Sequence, residues 1–285
     1  MPALALGCAR IGSALTPLGR HECVALLEAA LALGVRHFDT ASIYGQGDSE
    51  RYLGEALHAH RAQVHLASKA GQRLTAKQAI VSQFKGPIRW LAARRGTVHR
   101  RVADQRAQGV PRCFEPDYVE RSLAASLKRL KTDYLDVFYL HSPDASVLDD
   151  DRLMQRLLQL RARGMVRAIG VSCDEHDVAW KAARHDAVEV VQFAFDGGEP
   201  GRALLRALAE RGKRGVLRGF LSAAAQGAAM PQSLVAAFGQ AFTLPAVEGV
   251  LVGTTRLEHL QENVQAYRRA LAVARSEGAV EAGNA

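Results

Sequence analysis

No apolar run among the 285 residues reaches the roughly 18 that a membrane-spanning helix needs. The opening Met1-Pro2-Ala3-Leu4-Ala5-Leu6 has no basic n-region, and its apolar stretch is too short for a secretory signal. The C-x-x-C spacing of zinc and redox centres is also missing. The four cysteines, Cys8, Cys23, Cys113 and Cys173, are scattered, so free thiols in a reducing, cytoplasmic setting are expected and no metal site is indicated. A G-x-G-x-x-G fingerprint is absent too, which argues against a Rossmann dinucleotide fold. Aromatics are scarce where the chain is most basic: Phe84 and Trp90 stand alone between residues 71 and 112, and no nucleic-acid motif accompanies them.

The apolar content of 48% is enough for a large core, and the length suits a single barrel of about 250 residues. The net charge of +8 is local. Residues 71–112 carry ten Lys or Arg against Asp104, a net of +9, which leaves about −1 for everything else. Short β-branched or apolar runs alternate with stretches of helical period, the pattern of parallel strands joined by crossover helices. Eight strands are predicted at Ala3–Leu6, Val35–Phe38, Val64–Ser68, Leu135–Leu140, Val166–Val171, Val188–Gln192, Arg214–Leu217 and Gly249–Val252. Glu115-Pro116-Asp117 marks a helix over 118–130, and Ser49-Glu50 the head of another over 49–58. Gly34, Gly164 and Gly212 suit left-handed helix C-caps. Without a composition break, residues 1–285 read as one α/β domain, a (β/α)8 barrel. The stretch 71–112 is far longer than a usual βα loop and reads as a mostly helical insertion after the third strand. The Ala/Glu/Gly-rich tail after about Arg275 is expected to fray.

Barrel enzymes carry their sites at the C-terminal ends of the strands. Asp39, Lys69, His141, Ser172 and Gln192 fall at such ends, and Tyr44 lies just beyond one. Protonating a carbonyl oxygen needs a donor, and a free tyrosine, with a pKa near 10, is a weak acid at neutral pH. A lysine ammonium beside it favours the phenolate, a carboxylate holds that ammonium charged and pointed, and an imidazole can hydrogen-bond the carbonyl. Tyr44, Lys69, Asp39 and His141 supply those four parts. Taken singly each has a plainer reading: a helix cap for Asp39, a turn for Tyr44-Gly45, a surface position for Lys69, loop shaping for His141. Taken jointly, the four with their flanks favour chemistry.

From Leu6 to about Tyr267 the chain resembles the aldo-keto reductases. Three stretches carry the resemblance: Asp39-Thr40-Ala41 through Ser49-Glu50-Arg51-Tyr52-Leu53-Gly54; Ser122-Leu123 through Asp133-Tyr134-Leu135-Asp136 and Leu140-His141-Ser142-Pro143-Asp144; and Gly164-Met165-Val166-Arg167-Ala168-Ile169-Gly170-Val171-Ser172. The resemblance implies hydride transfer between a nicotinamide cofactor and an aldehyde, ketone or alcohol, with Tyr44 as general acid and base. It assigns Ser172 and Gln192 to the nicotinamide carboxamide. It also assigns Gly253-Thr254-Thr255-Arg256 with Glu262 and Asn263 to the adenosine end, with Thr255 and Arg256 at the 2′-phosphate, favouring NADP(H). By residue type alone this stretch could equally be an ordinary helix start, with Thr255 as the cap and Arg256 in solvent. The chain departs from the family pattern at Cys173, where asparagine is usual, and at Arg218, which stands where an aromatic stacks on the nicotinamide.

The resemblance thus implies an NADP(H)-dependent oxidoreductase acting on a small molecule; the scarce aromatics of the basic segment and the absence of a long apolar run argue against nucleic-acid and membrane partners. A nicotinamide-binding regulatory or redox-sensing barrel is the alternative. Following Lys69, the +9 segment is expected either to wall or cover the substrate pocket, drawing in anionic ligands, or to pack on another subunit in an oligomer.

Overall fold

The computed structural model describes residues 1–13, 16, 18–73, 110–221 and 233–283. Eight strands follow one another around a closed parallel barrel: β1 (Ala3–Gly7), β2 (His37–Asp39), β3 (His65–Ala70), β4 (Leu135–His141), β5 (Val166–Cys173), β6 (Val190–Ala194), β7 (Arg214–Arg218) and β8 (Val247–Val252). β8 closes the ring on β1 through the register Ala3↔Gly249 to Leu6↔Val252. The helices α1 (Arg20–Ala32), α2 (Asp48–Leu57), α3 (Pro116–Leu130), α4 (Asp151–Ala162), α5 (His176–Arg184), α6 (Glu199–Glu210), α7 (Leu234–Thr243) and α8 (Leu257–Gly283) lie around it. Each predicted strand is present, displaced by two residues at most at either end. Strands covered on both faces read as nearly continuous apolar runs, and β4 is buried at every position.

Two apolar layers result. A large cluster fills the space between strands and helices, and a smaller one of Ala67, Val137, Tyr139, Ala168, Val190 and Val216 fills the barrel itself. Gly34, Gly164 and Gly212 adopt φ of 88°, 74° and 62° past their helices, as their positions require. Ser49 does not cap α2; its hydroxyl turns inward to donate to the Cys8 carbonyl (3.0 Å) and lies 2.8 Å from the Thr40 hydroxyl. Past Arg275, α8 continues to Gly283, as Ala- and Glu-rich sequence favours.

The insertion itself falls outside the described residues, but its base does not. Gln72 and Arg112 form an antiparallel bridge, flanked by hydrogen bonds from Arg73 N to Pro111 O (2.8 Å) and from Cys113 N to Gly71 O (2.7 Å). The segment therefore leaves and rejoins the barrel at one place, just past Lys69. Arg112 reaches Asp144, in the loop after β4, at 2.6 Å.

Candidate active site

Successive side chains of a strand point to opposite faces, so inward positions recur every second residue. Two residues beyond the interior positions Ala67, Tyr139, Val190 and Val216 stand Lys69, His141, Gln192 and Arg218, and four beyond Ala168 stands Ser172. His141 pairs in register with Ser172, and Ser172 with Gln192. Alternation thus aims the strand residues singled out in the sequence toward the barrel axis at its C-terminal mouth.

Tyr44 is delivered by the loop after β2. That loop is held to β3, with Thr40 N bonded to Ala67 O (2.9 Å) and Ser42 N to Lys69 O (3.1 Å), before a single turn spanning Tyr44–Gly47. Gly45 sits at φ 53°, and a Cβ there would lie 2.8 Å from the Gly12 backbone, so the turn beside Tyr44 admits no side chain. The ring edge of Tyr44 meets His141 with centroids 5.7 Å apart and planes at 86°, and the Lys69 ammonium lies 5.3 Å from the Tyr44 centroid.

Lys69 is 1% exposed and donates to Asp39 Oδ1 and, at 3.0 Å, to the Thr40 carbonyl. Burial alone would discharge it, but the Asp39 carboxylate wins and its pKa is raised. The second carboxylate oxygen accepts from Gln192 Nε2 (2.8 Å), and Gln192 Oε1 accepts from the Ser172 hydroxyl (2.9 Å). Ser172 and Gln192 therefore serve Asp39 as well as facing the mouth. Burial pushes the Tyr44 phenol above its usual value, and Lys69 draws it only part of the way back. The lysine, whose charge by itself would lower the phenol's pKa, is the smaller influence; desolvation is the larger. Burial, with Lys69 and Arg218 adding to it, holds His141 well below the ordinary imidazole range, so the ring is neutral at pH 7; its Nδ1 is buried without a hydrogen-bond partner.

Two partnerships have no signal in the sequence. Glu50, fully buried, accepts from Ser68 Oγ and Arg129 Nε, both at 2.6 Å, tying α2 and α3 to the strand that carries Lys69. Arg218, instead of lying free to stack, is bound through Nη2 to the Cys173 carbonyl and, at 2.5 Å, to Asp174 Oδ1.

At the other end of the mouth, β8 passes through Gly253-Thr254-Thr255-Arg256 into α8. Thr254, not Thr255, caps the turn, accepting from Arg256 N at 3.1 Å. Arg256 is 65% exposed with Glu258 at 3.7 Å, Glu262 is exposed and Asn263 half-buried. An exposed guanidinium and two threonines at the N-terminus of a long helix fit an anionic phosphate. At the axis, the amide of Gln192 and the hydroxyl of Ser172 offer the hydrogen-bonding groups a carboxamide needs. The residues present thus fit a nicotinamide dinucleotide at both ends.

The sequence pattern of the Aldo/keto reductase family matches residues 3–195, and the chain belongs to that family. It is 31% identical over 197 residues to a D-threo-aldose 1-dehydrogenase of a Pseudomonas species, covering 68% of this chain and 56% of that protein. It is 26% identical over 180 residues to the NADH-specific methylglyoxal reductase of Escherichia coli K12, covering 62% and 49%. The matches thus span about half the length of these curated relatives. In fold it is similar to the holo form of an aldo-keto reductase from Bacillus halodurans, with a TM-score of 0.69, 19% identity, and 95% and 91% of the two chains covered.

Proposed function

We propose that the protein is an oxidoreductase that interconverts a carbonyl compound and its alcohol with NADP(H), using Tyr44 as the group that gives and takes the proton. The observation that carries this reading is the environment of Tyr44: a buried ammonium held charged by Asp39 on one side and a neutral imidazole against the ring edge on the other. When bound, the nicotinamide supplies and accepts hydride. Ser172 and Gln192 would hold its carboxamide; Gly253, Thr254, Thr255 and Arg256 would hold the adenosine phosphate; Glu262 and Asn263 would meet the adenine.

The protein's own part is proton management. Because burial keeps Tyr44 protonated, it can donate as negative charge grows on the substrate oxygen, and the tyrosinate left behind faces the Lys69 ammonium. Neutral His141 has one N–H to donate and can orient the carbonyl. Asp39, locked by Lys69 and Gln192, fixes the ammonium without contacting substrate. The test follows NADPH absorbance across aldehydes, ketones and sugars. Tyr44→Phe should lower kcat by about a hundredfold or more, the usual scale of general acid catalysis, while NADPH still binds. Unaltered turnover in that variant would remove Tyr44 from its role. Tight nucleotide binding by the unmodified protein without turnover of any carbonyl would favour the regulatory reading instead.

A further inference from the structure

The guanidinium of Arg218 is not consumed by the partners that hold it. Arg218 follows Arg214 and Val216 on the inward side of β7 and pairs in register with Ala194. Two residues past interior Val216, it stands at the same C-terminal mouth as Lys69 and His141, each likewise two residues past an interior position. Among the described residues its hydrogen bonds leave from Nη2, to the Cys173 carbonyl and to Asp174, an exposed carboxylate. The Nε–H is buried and has no partner. A buried N–H without an acceptor is destabilising, so a site that keeps one is built to receive an acceptor. The anchors on Nη2 fix the plane of the group and occupy the nitrogen that both bidentate edges share, leaving Nε–H as a single charge-assisted donor for one oxygen of a carboxylate or phosphate. Lys69, a second cation at this mouth, is committed to Asp39 and the Thr40 carbonyl and is unsuited to this task.

We infer that Arg218 forms an anion subsite beside the catalytic tyrosine and selects carbonyl substrates that carry a carboxylate or phosphate. This deepens the oxidoreductase reading and rests on it for the word substrate. The same anionic oxygens could also come from the cofactor's pyrophosphate, and the experiment separates the two sources.

Calorimetric titration with benzoate and with benzamide, which share shape but not charge, reads the subsite without turnover. The unmodified protein should bind benzoate at least tenfold more tightly than benzamide, and Arg218→Gln should erase most of that preference. Should the glutamine variant fail to fold, judged by circular dichroism, Arg218→Lys serves: charge is kept and the free Nε–H lost, and the preference should fall at least threefold. In turnover, the ratio of kcat/KM for 4-carboxybenzaldehyde over benzaldehyde should drop about tenfold in the variant. Equal binding of the two probes by the unmodified protein overturns the subsite, as does a preference that survives substitution. A loss confined to NADPH affinity, with the benzoate preference intact, assigns the arginine to the cofactor and likewise overturns it. A protein that prefers benzoate yet reduces no aldehyde keeps the subsite and sinks the reductase reading; one that reduces benzaldehyde and binds both probes alike does the reverse.

Discussion

For Lys69 and Tyr44 the charge state is set by a contest between burial and a charged neighbour, and the winner differs between the two. Lys69 stays an ammonium because Asp39 outweighs desolvation, whereas Tyr44 stays a phenol because desolvation outweighs Lys69. Arg256 is the opposite case. It is 65% exposed, with Glu258 at 3.7 Å in place of a buried partner, so its contribution to phosphate binding sits at the low end for a charged contact, about 1.5 kcal/mol or roughly tenfold. Arg256→Ala should weaken NADPH by about that factor and NADH hardly at all, as read by fluorescence titration; equal losses for both nucleotides would make it an ordinary surface residue. Positions were legible in the sequence because apolar runs end where site residues begin, as at Leu140-His141. Charge states were not, since the burial of Tyr44 depends on His141 and the β3 strand end at Lys69, brought against it only by the fold.

At the scale of elements, helices and strands were legible from period alone, but the ties between them were not. Ser49-Glu50 reads as a helix start, and only the fold brings Glu50 to Arg129, 79 residues away, and to Ser68 beside Lys69. No local pattern encodes a pair so separated. The carboxylate is fully buried and the guanidinium 22% exposed, so removing one member leaves the other desolvated and alone. Glu50→Gln should cost about 3 kcal/mol, the lower bound for breaking a buried pair, and lower the melting temperature by roughly 6–12 °C. Because Ser68 precedes Lys69 on β3, kcat/KM should fall as well, at temperatures where the variant is fully folded. A melting curve by circular dichroism that moved by less than 2 °C would show the clamp to be dispensable.

Viewed whole, the barrel is polar at both ends and apolar between them. Opposite the mouth, the inward residues that begin β2 and β3 are His37 and His65, stacked with centroids 4.5 Å apart and planes at 11°. The charged groups facing them are Glu248, 4.0 Å from His65 Nε2, together with Arg214, Arg61 and Asp136. Burial lowers both imidazoles, and His37 and the two arginines add to the effect on His65, bringing it to about 4. In the unfolded chain the same rings titrate near 6.5. Between about pH 4 and 6.5 the unfolded state therefore binds more protons, so stability is complete above that window and declines as pH falls through it. One unit of pKa difference corresponds to about 1.4 kcal/mol; allowing for the side chain's partial exposure, acidification from pH 7 to pH 5 should draw on the order of 1 kcal/mol from His65. Thermal melts at the two pH values should show a fall of several degrees for the unmodified protein. His65→Asn removes the titrating group and should shrink that fall by about 2–4 °C, whatever it does to stability at pH 7. If both proteins lost the same number of degrees, the pH dependence would belong to other groups, His141 at the mouth among them, and the floor of the barrel would be electrostatically silent in this range.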